Sequence, residues 1–148
     1  MLRKLPAVAA ALAAFCSNAV FASDDNEISL FDSTGAAEAY IALDDEMTIY
    51  LWGGKPVAYL ERDDDGYDVY GFNGEHLGWF VNGAIWGHDG KAVCAVKDML
   101  PSAKFESFKG FKQFKAFKSF TKFAPAQPSF SGSFGDIPCK FLLFEGAK

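Results

Sequence analysis

LFDSTGAAEAYI (residues 30–41), IYLWGGKPVAYL (49–60), VYGFNGEHLGWF (69–80) and IWGHDGKAVCAV (85–96) are successive copies of one pattern. Aligned on Gly35, Gly54, Gly74 and Gly90, each copy has an aliphatic residue five positions before the glycine: Leu30, Ile49, Val69, Ile85. An aromatic stands four before: Phe31, Tyr50, Tyr70, Trp86. A small residue stands four after: Ala39, Ala58, Gly78, Cys94. Five after come Tyr40, Tyr59 and Trp79, with Ala95 the exception, and six after is always apolar: Ile41, Leu60, Phe80, Val96. Self-similarity on this scale marks repeated supersecondary units that bury their faces against one another.

Each copy reads as a β-hairpin. Asn73-Gly74 and Asp89-Gly90 suit a two-residue type I′ turn with both central residues at positive φ, Gly53-Gly54 serves equally, and Thr34-Gly35 is the poorest of the four. Alternation along the arms puts the aromatics on one face, shared by positions −4, −2, +1, +3 and +5 around the glycine. On the other face each aliphatic opposes a small residue: Leu30–Ala39, Ile49–Ala58, Val69–Gly78 and Ile85–Cys94. The expected architecture is all-β, four hairpins around a pseudo-four-fold axis crowded where Ala39, Ala58, Gly78 and Cys94 meet. Pro56 is tolerable if its missing N–H points away from its hairpin partner.

The chain has 148 residues. Residues 1–22 read as a secretory signal: Arg3 and Lys4, an apolar stretch, then Val20-Phe21-Ala22 before Ser23, with cleavage between Ala22 and Ser23. Phe15 occupies the position where lipoprotein processing at Cys16 needs a small residue. Cleavage leaves no segment able to cross a bilayer as a helix, and predicts a periplasmic or secreted protein of 126 residues. That is enough for one modest core. Two cysteines remain, Cys94 and Cys139. Either they join in the oxidising compartment and tie the C-terminus to the fourth hairpin, or Cys94 is an apolar filler in the small-residue position.

Charge divides at about residue 103. Residues 23–103 carry 16 acidic and 4 basic side chains; residues 104–148 carry 3 acidic and 8 basic. The basic segment is therefore expected to fold back on the acidic hairpin domain. It also repeats phenylalanine every third residue, from Phe105 through Phe108, Phe111, Phe114, Phe117 and Phe120 to Phe123, with Lys109, Lys112, Lys115 and Lys118 each following one. Period three suits neither helix nor strand. A polyproline-II-like extended tail sets every Phe on one edge and the lysines on another, reaching roughly 55 Å at about 3.1 Å per residue. Such a row must be covered by the domain's own aromatic face, by another chain, or by a lipid or polymer surface.

These residues resemble the four-fold β-flower domain. The resemblance rests on Tyr or Trp before an Asn-Gly or Asp-Gly turn, Gly-Trp-Phe or Ala-Tyr-Leu after it, the triplet Lys/Phe stretch, and an ending from Pro128 through Phe130, Ile137 and Pro138 to Phe144. It implies the fold and secretion in bacteria, and no catalytic residues. Thr34-Gly35 and Ala95 depart from its pattern.

Motifs for chemistry are sparse. The run from Glu61 to Gly66 mimics half of a calcium loop, yet Phe72 stands where the twelfth-position acid belongs. His76 and His88 have no Cys or second His at zinc-ligand spacing, and no nucleotide-binding fingerprint is present. Catalytic, cofactor-binding and metal residues are read as none. The acidic balance excludes nucleic acid. The function expected is a non-enzymatic structural or interaction protein, its tail packed on the hairpins and its Tyr and Trp residues exposed for recognition. The runner-up is a binding module for a glycan or other envelope polymer through exposed aromatics, and a third reading is a small hydrolase using His88 and Asp89. Self-association through the Phe tail is the other candidate partnership.

Overall fold

Eight strands pair antiparallel in chain order and close into a barrel: β1 (Glu27–Phe31), β2 (Ala37–Ala42), β3 (Thr48–Leu51), β4 (Pro56–Asp63), β5 (Gly66–Gly71), β6 (His76–Val81), β7 (Ala84–Trp86) and β8 (Ala92–Ala95). This computed structural model describes residues 26–101 and 104–148. The signal segment 1–22 and its cleavage site, Ala22–Ser23, lie outside the described residues. Each repeat copy is one hairpin, so four hairpins surround a pseudo-four-fold axis. The closing seam is a single pair, Phe31 opposite Ala95.

The turns differ from expectation in the same way four times. In each, the glycine N–H donates three residues back, as from Gly74 to the Gly71 carbonyl at 2.9 Å, and the Gly71 N–H donates to the Glu75 carbonyl at 2.9 Å. Gly35, Gly54 and Gly90 repeat this arrangement. The glycines have positive φ, from 78° to 103°, whereas Thr34, Gly53, Asn73 and Asp89 do not. These are three-residue loops, a type I turn closed by a left-handed glycine, rather than two-residue type I′ turns. Thr34 is therefore no handicap.

A bulge follows every turn. The expected pairs Leu30–Ala39, Ile49–Ala58, Val69–Gly78 and Ile85–Cys94 all form, but the next ladder step skips a residue, so Tyr70 opposes His76 and Tyr50 opposes Pro56. The skipped residues Val57, Leu77 and Val93 turn into the barrel core instead of sharing the aromatic face. Their predecessors turn outward. At that outward position the Ala37 and Ala92 N–H groups donate away from the hairpin to Phe105 and Ser133, which is why Pro56 is accommodated at its counterpart.

The interior holds Leu30, Ile49, Val69 and Ile85 with Ala39, Ala58 and Cys94 in one buried cluster. Gly78, also buried, has a specific reason to lack a side chain: a Cβ there would strike the Trp86 carbonyl oxygen of the adjacent strand. Helix α1 (Cys139–Phe144) and the 3-10 turn Glu145–Ala147 fill the turn end. Leu143 is buried among strand aliphatics, Gly146 abuts Gly71, and Asn73 N–H donates to the Gly146 carbonyl at 3.1 Å. A disulfide joins Cys94 to Cys139 across a Cα–Cα distance of 5.2 Å, anchoring this plug to β8.

Candidate functional site

Outside the barrel, the aromatics cluster between neighbouring hairpins rather than within one. Tyr40 opposes Tyr50, Tyr59 opposes Tyr70, and Trp79 opposes Trp86. At the fourth junction Ala95 opposes Phe31, and Leu100 fills the space an aromatic would take.

The tail girdles these junctions as an extended belt whose three edges have separate tasks. Its third-position residues donate backbone N–H groups to the turns: Gly110 to Trp52 (2.9 Å), Gln113 to Gly54 (2.8 Å), Ser119 to Phe72 (2.8 Å), Lys122 to Gly74 (2.9 Å) and Ser131 to Gly90 (2.9 Å). Gly54, Gly74 and Gly90 thus receive Gln113, Lys122 and Ser131, nine residues apart, whereas Gly35 receives the Phe105 N–H at 2.8 Å, eight residues before Gln113. The approach is close enough that a Cβ on Gly54, Gly74 or Gly90 would collide with the carbonyl oxygen of Phe111, Phe120 or Ser129. The turn glycines serve the belt as well as the turn. Trp52 Nε1 and the Tyr70 hydroxyl add side-chain clasps to the Ser107 and Lys122 carbonyls, at 2.9 and 2.8 Å.

The lysine edge faces the barrel wall. Lys109 pairs with Glu27 and lies 4.5 Å from the Tyr40 ring centroid; Lys112 also meets Glu27, at 3.1 Å. Lys115 meets Asp45 at 2.7 Å and Lys118 sits 4.1 Å over Tyr59, while Lys122, from the third-position edge, pairs with Glu75. Cations over ring faces beside carboxylates give two attractions in one groove. The Lys115 hydrogen bond, helped by the Tyr50 hydroxyl, holds Asp45 below the usual carboxylate range, and Asp45 in turn raises Lys115. Burial, then the Glu27 and Asp45 charges, pushes Tyr40 up to about 12.

The phenylalanine edge faces away. Phe108, Phe111, Phe114, Phe117, Phe120 and Phe123 are 93–101% exposed. This reverses two expectations. The domain's aromatic face does not cover the phenylalanines, because lysines occupy it. The hairpin Tyr and Trp residues do not form an exposed recognition surface either, since Tyr40, Tyr50, Trp52, Tyr59, Tyr70, Trp79 and Trp86 are all buried.

The third junction is different. Asp68 Oδ1 accepts from His76 Nε2 at 2.9 Å, and His76 Nδ1 lies 2.9 Å from His88 Nε2. A carboxylate only accepts, so His76 carries a proton on Nε2, and its Nδ1 shares one proton with His88 Nε2. Burial and the neighbouring His76 lower the pKa of His88, against a small opposing pull from Asp89. The expected His88–Asp89 couple does not form: Asp89 Oδ1 accepts from the Lys91 N–H within its own turn. Asp68, and the linkage of the two histidines through His76, were missed because strand pairing alone brings the three together. The residues of the calcium-loop mimic form the β4–β5 hairpin, with Asp63 opposite Gly66. Among the described residues no group of three or more His, Cys, Asp or Glu is placed to hold a metal ion. Among them also, no helix is long and apolar enough to cross a membrane.

None of the curated proteins and none of the solved structures compared with this chain matches it. One family does, over most of the length that forms the barrel, belt and plug. A chain of four glycine-turned hairpins closed around one axis, matched by the family model over residues 28–143, belongs to the 4-fold beta flower protein family.

Proposed function

We propose that this chain is an exported, non-enzymatic interaction protein whose barrel is a frame for displaying the phenylalanine edge. One observation carries the reading: six rings stand in solvent along a belt that is itself fixed by backbone hydrogen bonds to the turns. Apolar patches of this size on soluble proteins mark contact surfaces. The acidic groups of the wall, Glu27, Asp45, Glu46 and Glu75, are engaged in holding the belt, which suits a display role. Export to a periplasmic or extracellular space is supported by the leader-like residues 1–22 and by the Cys94–Cys139 bridge, a bond kept in oxidising compartments. A glycan-binding role loses its Tyr and Trp platform to burial.

The test compares the wild type with a variant carrying serine at Phe108, Phe111, Phe114, Phe117, Phe120 and Phe123. The wild type should be retained on a phenyl-substituted chromatography matrix and the variant should elute early, with matching circular dichroism and melting. Equal elution would sink the reading. Expression of the full chain in a Gram-negative host should yield periplasmic protein beginning at Ser23, and cytoplasmic protein retaining Met1 would remove the export part.

A further inference from the structure

The belt carries hollows as well as projecting rings. Between its contacts with Gly54 and Gly74 it bridges two turns, and space remains on both sides of this bridge. One hollow, about 320 Å³, is lined by Pro56, Phe114, Phe117 and Gly146. The other, about 530 Å³, is lined by Tyr50, Phe72, Phe114 and Phe117. Phe114 and Phe117 thus wall both hollows while remaining almost wholly exposed.

Resting on the display reading above, we propose that the edge is covered by a second copy of this chain, the rings of each belt seating in the hollows beside residues 113–119 of the other. Knobs and holes on the same segment are the self-complementarity that a two-fold interface requires. The two copies share one repeat: at about 3.1 Å per residue, rings recur about every 9 Å on both belts, so two belts running antiparallel interdigitate where residues 113–119 meet. Phe114 and Phe117 with their neighbours Phe111 and Phe120, at about 150–250 Å² each, approach the roughly 800 Å² per partner of a standard specific interface. Charge disfavours an anionic lipid surface, because the lysines that would meet headgroup phosphates are turned onto the barrel wall. Repulsion between the two acidic barrels acts across two belts and is weakened by physiological salt, whose screening length is about 8 Å.

Sedimentation velocity and light scattering on the disulfide-bonded protein should report a two-chain species that dissociates on dilution. Phe114→Ser with Phe117→Ser should weaken it by about tenfold or more while melting stays unchanged, and Phe117→Ser alone gives a milder version should the pair perturb folding. A wild type that stays monomeric at the highest concentration reached overturns the inference; continued retention of that monomer on the phenyl matrix would leave the display reading standing. Pairing undiminished in the serine variant, open-ended assemblies, or a monomer that floats with phosphatidylcholine vesicles would also overturn it.

Discussion

The barrel interior and the belt are both regular apolar arrays, yet they lie on opposite sides of the solvent boundary. Inside, Leu30, Ile49, Val69 and Ile85 recur on inward-facing strand positions and are wholly buried; each such side chain contributes about 1.5–3 kcal/mol by leaving water. On the belt, phenylalanines with more apolar area apiece contribute almost none of that to the single chain. The belt is held instead by turn hydrogen bonds worth about 0.5–1.5 kcal/mol each net, and by exposed or half-exposed ion pairs worth about 0–1 kcal/mol. Fold stability and the exposed phenylalanine edge therefore lie in different regions, and the second is expected to change without harming the first.

The strongest challenge to that division is the plug, which follows the belt in sequence and belongs to the interior in space. Replacing Cys94 and Cys139 by alanine should cost about 4 kcal/mol in the loop-closure estimate for a separation of 45 residues, read from chemical denaturation. Leu143→Ala should cost about 3 kcal/mol as a buried cavity. Gly74→Ala sharpens the comparison at the point where the regions touch. Its positive φ costs about 1 kcal/mol, and the added Cβ displaces the Phe120 carbonyl, so amide exchange at Ser119 and Lys122 should accelerate while the barrel strands stay protected.

A smaller effect is expected from pH. The folded His88 has a pKa below its unfolded value, so the folded chain binds fewer protons there. Stability from this group is complete above the unfolded pKa of about 6.5, falls as pH drops through that value, and levels off below the folded one. His88→Gln should flatten that segment of the stability profile. Smallest of all, Phe120→Ser should shift the denaturation midpoint by no more than about 0.5 kcal/mol; a larger loss would mean that the edge belongs to the fold.

The hairpins, their glycines and the pairing of Leu30 with Ala39 through Ile85 with Cys94 were legible because two constraints, turn chemistry and strand alternation, agreed. Turn type was not, since a glycine at the last loop position satisfies both loop lengths. The bulge left a trace, two consecutive core residues at Val57-Ala58, Leu77-Gly78 and Val93-Cys94, where alternation permits one. Period three separated the belt's edges without saying which faces in; the opposite charges of body and tail favour lysines inward. The Asp68–His76–His88 chain spans two hairpins, and no local spacing announces it.

The belt's nine-residue step binds its length to the number of petals. Inserting or deleting one triplet keeps Phe, Lys and small residue in phase but carries Gln113, Lys122 and Ser131 off their glycines. From Gly54 to Gly90, only a change of nine matched by one hairpin more or fewer keeps each clasp on a glycine. Indels in this segment are thus quantised, and a relative with a fifth petal would need a tail longer by one whole step.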